Sequence, residues 1–163
     1  MSAGAGISWG ARGVIVDTNL LVLFTVGTVN RNRVETFKRT RQYTTGAFDL
    51  LVQVLKGFDP LYTVPHVLAE VSNLTDPPGS EGPLARSVLR QVITLLSEVE
   101  IPSARAAEDR LYEDHGLADA AIGAVARAHN CGVLTDDLDL YLRLSHDNVD
   151  AFYFTYLRDS AGV

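Results

Sequence analysis

The chain is poor in the residues that mark several protein classes. Cys131 is the only cysteine among 163 residues, so no intramolecular disulfide can form, as in proteins of a reducing cytosol. Its apolar neighbours predict a buried, unreactive thiol. No apolar run approaches the length of a membrane span, and the N-terminus has neither the basic start nor the apolar core of a secretory signal. We therefore expect a cytoplasmic protein that does not insert into a membrane.

Lysine and histidine are scarce as well. The only lysines are Lys38 and Lys56, both early, whereas a phosphoacceptor signalling domain needs a lysine after a late strand. A phosphatase of the haloacid dehalogenase type needs Asp-x-Asp after its first strand, and Asp17-Thr18-Asn19 lacks the second acid. No i, i+4 ligand pair, and hence no zinc site, is predicted among the four histidines, which are His66, His115, His129 and His146.

Positive charge is concentrated in one segment of an otherwise acidic chain. The formal net charge is -6, yet residues 28–43 carry five cations and one acid. From residue 100 onward, twelve acids face five arginines. A basic strip on an acidic protein is a candidate for contact with phosphates, and a solvated polar face or a dock for an acidic partner is an equal alternative. The candidate RNA contacts are Arg31, Arg33, Lys38, Arg39 and Arg41.

Short apolar runs alternate with amphipathic stretches, which predicts an α/β domain with a mainly parallel central sheet flanked by helices. Residues 1–12 are expected to form a flexible tail, and residues 13–163 a single domain. Helices are predicted over about 20–26, from the Thr44 cap to Gly57, from Pro65, over 84–96 and 118–128, and after Asp136. The predicted strands are 13–16, 61–64, 99–101, 132–135 and 151–154.

Four acidic positions, widely separated in sequence, fall at one edge of this predicted sheet. Asp17 and the pair Asp136-Asp137 directly follow strands, while Glu70 and Asp119 lie in the first turns of helices. Because the carboxyl ends of parallel strands meet at one edge, we expect these acids to lie close together. Clustered, partly buried carboxylates repel one another unless a cation compensates their charge. A divalent metal is the simplest such cation.

These segments together resemble the PIN domain family of metal-dependent ribonucleases, which includes the VapC toxins of bacterial toxin–antitoxin pairs. The resemblance covers residues 14–154 and rests on four segments: hydrophobic-Asp17-Thr18-Asn19, Glu70 with Asn73, Gly116-Leu117-Ala118-Asp119-Ala120-Ala121-Ile122, and Leu134-Thr135-Asp136-Asp137. It implies a three-layer sandwich, one or two Mg²⁺ or Mn²⁺ ions and endonucleolytic cleavage of RNA. The basic insertion at about 28–43 makes the chain longer than a compact toxin of that type. An antitoxin-like protein and a second copy of the chain, in a homodimer, are candidate partners.

Hydrolysis of a phosphodiester suggests roles for the acids. Asp17 is expected as the central metal ligand, with Asp119 and Asp137 completing the site. Glu70 would ligate directly or through water, or orient the attacking water. The side chains expected to hold these carboxylates in place are Asn19, Asn73 and Thr135.

Each assignment has a structural alternative. Asp17, Asp119 and Asp136 could each do no more than cap a helix, and Glu70 could be an exposed helical acid. The fourth acid is open between Asp136 and Asp137, with the Thr-x-Asp pattern favouring Asp137. At the level of the whole chain, the alternative to a ribonuclease is a catalytically silent PIN fold that acts as a protein-interaction module.

Overall fold

A computed structural model describes residues 12–76 and 81–163. Nearly all of the predicted N-terminal tail, residues 1–12, lies outside the described residues. The strands are β1 (Val14–Val16), β2 (Leu61–Thr63), β3 (Ser97–Glu98), β4 (Gly132–Thr135) and β5 (Ala151–Tyr153). The helices are α1 (Thr18–Val29), α2 (Thr45–Lys56), α3 (Pro65–Leu74), α4 (Gly82–Leu95), α5 (Ser103–Ala106), α6 (Tyr112–His115), α7 (Leu117–His129), α8 (Leu138–His146) and α9 (Phe154–Ala161). None of the described helices combines the length and the apolar character that crossing a bilayer requires.

The five strands form one parallel sheet in the order β3-β2-β1-β4-β5. The predicted α/β sandwich is thus confirmed, and the sheet is wholly parallel in the described part of the chain. The central strands are the most buried, since Val14, Ile15 and Val16 of β1 and all four residues of β4 have no or almost no exposed surface. Such continuous apolar runs are typical of strands covered by helices on both faces.

Strand order reverses at β1, and this reversal positions the site. The chain runs from β1 outward to β2 and β3, then returns to place β4 on the other side of β1. In open parallel sheets such a switch point leaves a crevice at the carboxyl ends of the two strands. Val16 pairs with Leu134, so Asp17 and Thr135 emerge side by side at this crevice.

Two predicted strand boundaries are wrong. The third strand was expected at 99–101 but is Ser97–Glu98, because the backbone pairs with β2 through exposed residues, while Val99 and Ile101 pack against the core. The last strand was expected to include Phe154, which instead begins α9 and is fully buried. In both cases the apolar pattern reported burial correctly, but burial does not distinguish a strand from the turn beside it.

An ion-pair network joins the two helices that carry the later acids. The carboxylate of Asp147, just beyond α8, lies 3.2 Å from Arg127 of α7, 3.4 Å from Arg110 and 3.5 Å from Arg143 of α8. Arg127 also pairs with Asp109, whose other oxygen accepts a hydrogen bond from the Leu111 amide. The Asp147 side chain is only 3% exposed, because arginine side chains cover it.

We expect Asp147→Asn to lower the free energy of unfolding by about 1 to 2 kcal/mol, since it weakens several charge-assisted hydrogen bonds at once. Urea denaturation of the purified protein measures the effect. Asp150→Asn is the matched control, because Asp150 pairs with Arg12 across a surface where both side chains are 58% exposed. Its cost should stay below about 1 kcal/mol. Equal losses in the two variants would show that the network does not stabilise the fold.

Candidate functional site

The structure brings four of the predicted acids into one cavity at the carboxyl ends of β1 and β4. The cavity has a volume of about 240 Å³. Its acidic residues come from four separate elements, and they are Asp17, Glu70, Asp119 and Asp137. Topology explains the convergence, because β1 and β4 end at this edge and α3 and α7 begin near it.

Asp17 lies at the base of the cavity and is 4% exposed. Its Oδ1 accepts a hydrogen bond from the Thr18 amide at 2.6 Å, and its Oδ2 accepts one from the Thr135 hydroxyl at 2.6 Å. Asp17 therefore does cap α1, but both carboxylate oxygens keep further lone pairs for another partner. Burial, together with the charges of Asp137 and Glu70, raises the pKa of Asp17 to about 6 despite these hydrogen bonds.

Glu70 is connected to Asp17 through the intervening residue Thr18. The Thr18 hydroxyl donates to Glu70 Oε2 at 3.2 Å, while the amide of the same residue donates to Asp17. Glu70 is otherwise exposed at the cavity rim. The contact between Thr18 and Glu70 spans 52 positions and is visible only in the folded chain.

Asp119, in the first turn of α7, has the most perturbed carboxyl group in the cavity. Burial, together with the charges of Asp17, Asp137 and Glu70, raises its pKa to about 8. His115 Nδ1 lies 3.8 Å from Asp119 Oδ2, with only 13% of the histidine side chain exposed. His115 lines the cavity although no role was predicted for it. The i, i+4 spacing between His115 and Asp119 could have indicated this contact from the sequence. The i, i+4 prediction concerned only pairs of histidines.

The structure separates Asp136 from Asp137. Asp137 lines the cavity, and its Oδ1 accepts the Leu140 amide at 3.0 Å as the cap of α8. Asp136 faces away from the cavity, where the Thr155 hydroxyl donates to it at 2.7 Å and the Tyr43 hydroxyl is its second donor. Of the two, Asp137 is the acid placed with Asp17, and Asp136 is engaged between the insertion and α9.

The three residues expected to support the carboxylates fall in different places. The Thr135 hydroxyl donates a hydrogen bond to Asp17 and accepts one from the Asp137 amide at 3.0 Å, so it links two of the acids. Asn19 lines the acidic cavity. Asn73 lines a neighbouring cavity instead and, among the described residues, makes no hydrogen bond to the four acids.

The donor set suits a hard divalent cation. Four carboxylates supply only oxygen ligands. Burial, and to a smaller extent their mutual repulsion, raises the pKa values of Asp17 and Asp119, and a bound cation would offset both effects. Within residues 12–76 and 81–163, no group of three or more His, Cys, Asp or Glu side chains is arranged to hold an ion as it stands. Binding of an ion would therefore require some of these side chains to change conformation.

The five cations of the basic insertion do not share one environment. Arg31 pairs with Asp49 at 2.6 Å, and Arg33 pairs with Glu81 at 3.1 Å. In the described part of the chain, Lys38, Arg39 and Arg41 are exposed and form no ion pair. The positive charge that the basic insertion offers to a ligand therefore comes from these three side chains.

The raised pKa of Asp119 predicts that the metal-free protein loses stability as the pH rises. A folded-state pKa of about 8 against an ordinary value of 3.8 means that the folded protein binds this proton more tightly than the unfolded chain does. The stabilising contribution is complete below about pH 4 and is lost as the pH rises through about 8.

Asp119→Asn should therefore stabilise the protein at pH 9 in EDTA by at least about 1 kcal/mol, the equivalent of one pKa unit, and by much less at pH 5. Thermal unfolding across this pH range provides the measurement. Asp139→Asn is the control, because Asp139 is an exposed acid near the start of the neighbouring α8. Identical pH profiles for the wild type and Asp119→Asn would contradict the proposed strain at Asp119.

The comparisons with known proteins agree with this geometry. The model of the PIN domain family matches residues 14–144, which include all four acids of the cavity. No curated protein sequence matches the chain. The family match spans more than half of the chain and covers four of the five strands and the acidic crevice. We conclude that the chain belongs to the PIN domain family, whose members are generally nucleases.

Proposed function

We propose that this protein is an endoribonuclease that hydrolyses RNA phosphodiester bonds with the aid of Mg²⁺ or Mn²⁺. The observation that carries the proposal is the convergence of Asp17, Glu70, Asp119 and Asp137 from four elements on one small cavity. A set of mutually repelling acids lowers the stability of a fold. Acids with perturbed pKa values are therefore found mainly at functional sites. The buried, free thiol of Cys131 is compatible with work in a reducing cytosol.

Asp17, Asp119 and Asp137 would hold the metal, with Glu70 as a further ligand or as the group that orients the attacking water. A divalent ion bound here lowers the pKa of a coordinated water and stabilises negative charge on the phosphate. The hydroxyl of Thr135 and the amide of Thr18 fix both oxygens of Asp17, while the hydroxyl of Thr18 orients Glu70. These groups act as positioning residues for the carboxylates.

Purified protein should cleave single-stranded RNA in the presence of Mn²⁺ or Mg²⁺, and EDTA should abolish the cleavage. Asp17→Asn should lower the rate at least about 100-fold, because it removes the charge at the centre of the proposed site. Cleavage of end-labelled RNA, resolved on denaturing gels, measures both effects. Indistinguishable activity of the wild type and Asp17→Asn across a broad RNA panel would favour the silent interaction module.

The neighbouring acids Asp136 and Asp137 provide a matched pair of variants. Asp137→Asn should remove most activity and reduce the thermal stabilisation that added Mn²⁺ confers. Asp136→Asn changes the same charge one residue away, where the side chain bonds to Thr155 and Tyr43, and should retain activity and the response to Mn²⁺. Loss of activity in Asp136→Asn together with retention in Asp137→Asn would reverse our assignment of the fourth acid.

A further inference from the structure

A second, larger cavity lies beside the acidic one. Its volume is about 470 Å³, within the range of small-molecule binding sites. The wall is formed by the end of α1, the basic insertion, the end of α3 and the start of α4. Leu74 lines both cavities, so they are immediate neighbours.

The charge balance of the larger cavity is positive. Its two acids are already compensated, since Glu81 pairs with Arg33 at 3.1 Å and Asp76 pairs with Arg86 at 2.9 Å. Lys38 and Arg39 also line the cavity, and neither forms an ion pair with any described residue. These two cations are therefore available to an anionic ligand.

The remaining wall combines an aromatic ring, apolar side chains and uncharged polar groups. Phe37 lines the cavity while also packing, half-buried, against the core, so its ring is held in place. Val26 and Val29 add apolar surface, and Thr36 and Asn73 supply a hydroxyl and an amide. A flat base that stacks or packs on apolar surface, offers polar edges and carries a phosphate matches this combination.

We propose that this cavity binds one unpaired nucleotide of the RNA, adjacent to the phosphodiester held at the four acids. The base would occupy the space beside Phe37, with Asn73 and Thr36 available to its polar edge and Lys38 and Arg39 to its phosphate. An unpaired base is required, because only a splayed nucleotide can place its ring in a pocket. This inference rests on the proposed ribonuclease function and adds to it a subsite for the nucleotide beside the cleaved bond.

The matched variants are Arg39→Ala and Arg41→Ala. Both remove one exposed arginine from the same segment, but Arg39 lines the cavity and Arg41 does not. The probe is a fluorescein-labelled single-stranded RNA of about ten nucleotides, titrated with full-length protein in EDTA and followed by anisotropy. Arg39→Ala should weaken binding and reduce the slope of log affinity against log salt by about one, whereas Arg41→Ala should leave that slope unchanged.

A further variant tests the base rather than the phosphate. Phe37→Leu keeps an apolar side chain against the core but removes the ring, and should weaken binding of the single strand at least about fivefold. Circular dichroism and thermal unfolding verify that the variant is folded. The wild type should also bind the single strand more tightly than a duplex of the same sequence, since the duplex withholds its bases.

Three results would overturn the proposal: equal effects of Arg39→Ala and Arg41→Ala, unchanged affinity in both Arg39→Ala and Phe37→Leu, or equal affinity for duplex and single strand. Equal arginine effects would indicate diffuse attraction along the insertion. Binding in EDTA is independent of cleavage, so the two proposals fail separately. Metal-dependent cleavage without a cavity effect would overturn only the nucleotide pocket, and cavity-dependent binding without cleavage would overturn only the nuclease assignment.

Discussion

The site depends on the burial of the Asp17 carboxylate between two parallel strands. Burial raises the pKa of Asp17 to about 6, while the hydroxyl of Thr135, one position past the β1–β4 pairing, holds one of its oxygens. The Thr135 hydroxyl also accepts the amide of Asp137, and Thr18 connects Asp17 to Glu70. Because the Thr135–Asp17 and Thr18–Glu70 contacts cross between elements, the position of Asp17 relative to β4 determines where the other carboxylates lie.

The cluster of acids that the proposed function requires also lowers the stability of the metal-free protein. Burial and three neighbouring acids raise the pKa of Asp119 to about 8, so this carboxyl is largely protonated at neutral pH and the metal-free protein loses stability as the pH rises. Elsewhere the same helices are stabilised by opposite charges, as where Asp147 binds arginines of both α7 and α8. At the crevice, by contrast, four acids lie together, and a cation bound there would compensate their charge.

Much of the fold and the acid set could be predicted from local pattern. Apolar triplets followed by Asp17 and by Thr135-Asp136-Asp137 identified the two central strands and the edge at which acids would meet. The same reasoning misplaced β3 and assigned Phe154 to a strand, because apolar residues report burial and not backbone pairing. It also left Thr18 and His115 without their places in the cavity, because each reaches its acid only through a turn or a distant helix.

By itself, the sequence determined the α/β class, the parallel sheet and the acids that share its carboxyl edge, because strand period and strand ends are local properties of the chain. Only the tertiary structure showed that Asp137 lines the acidic cavity and Asp136 does not, since Thr155 and Tyr43 approach Asp136 from remote parts of the chain. It also divided the five cations of the insertion into paired and unpaired side chains and placed Lys38 and Arg39 at a cavity beside the acids. Side-chain direction and ion pairing depend on elements that are far apart in sequence, and these elements come into contact only when the sheet forms on both sides of β1.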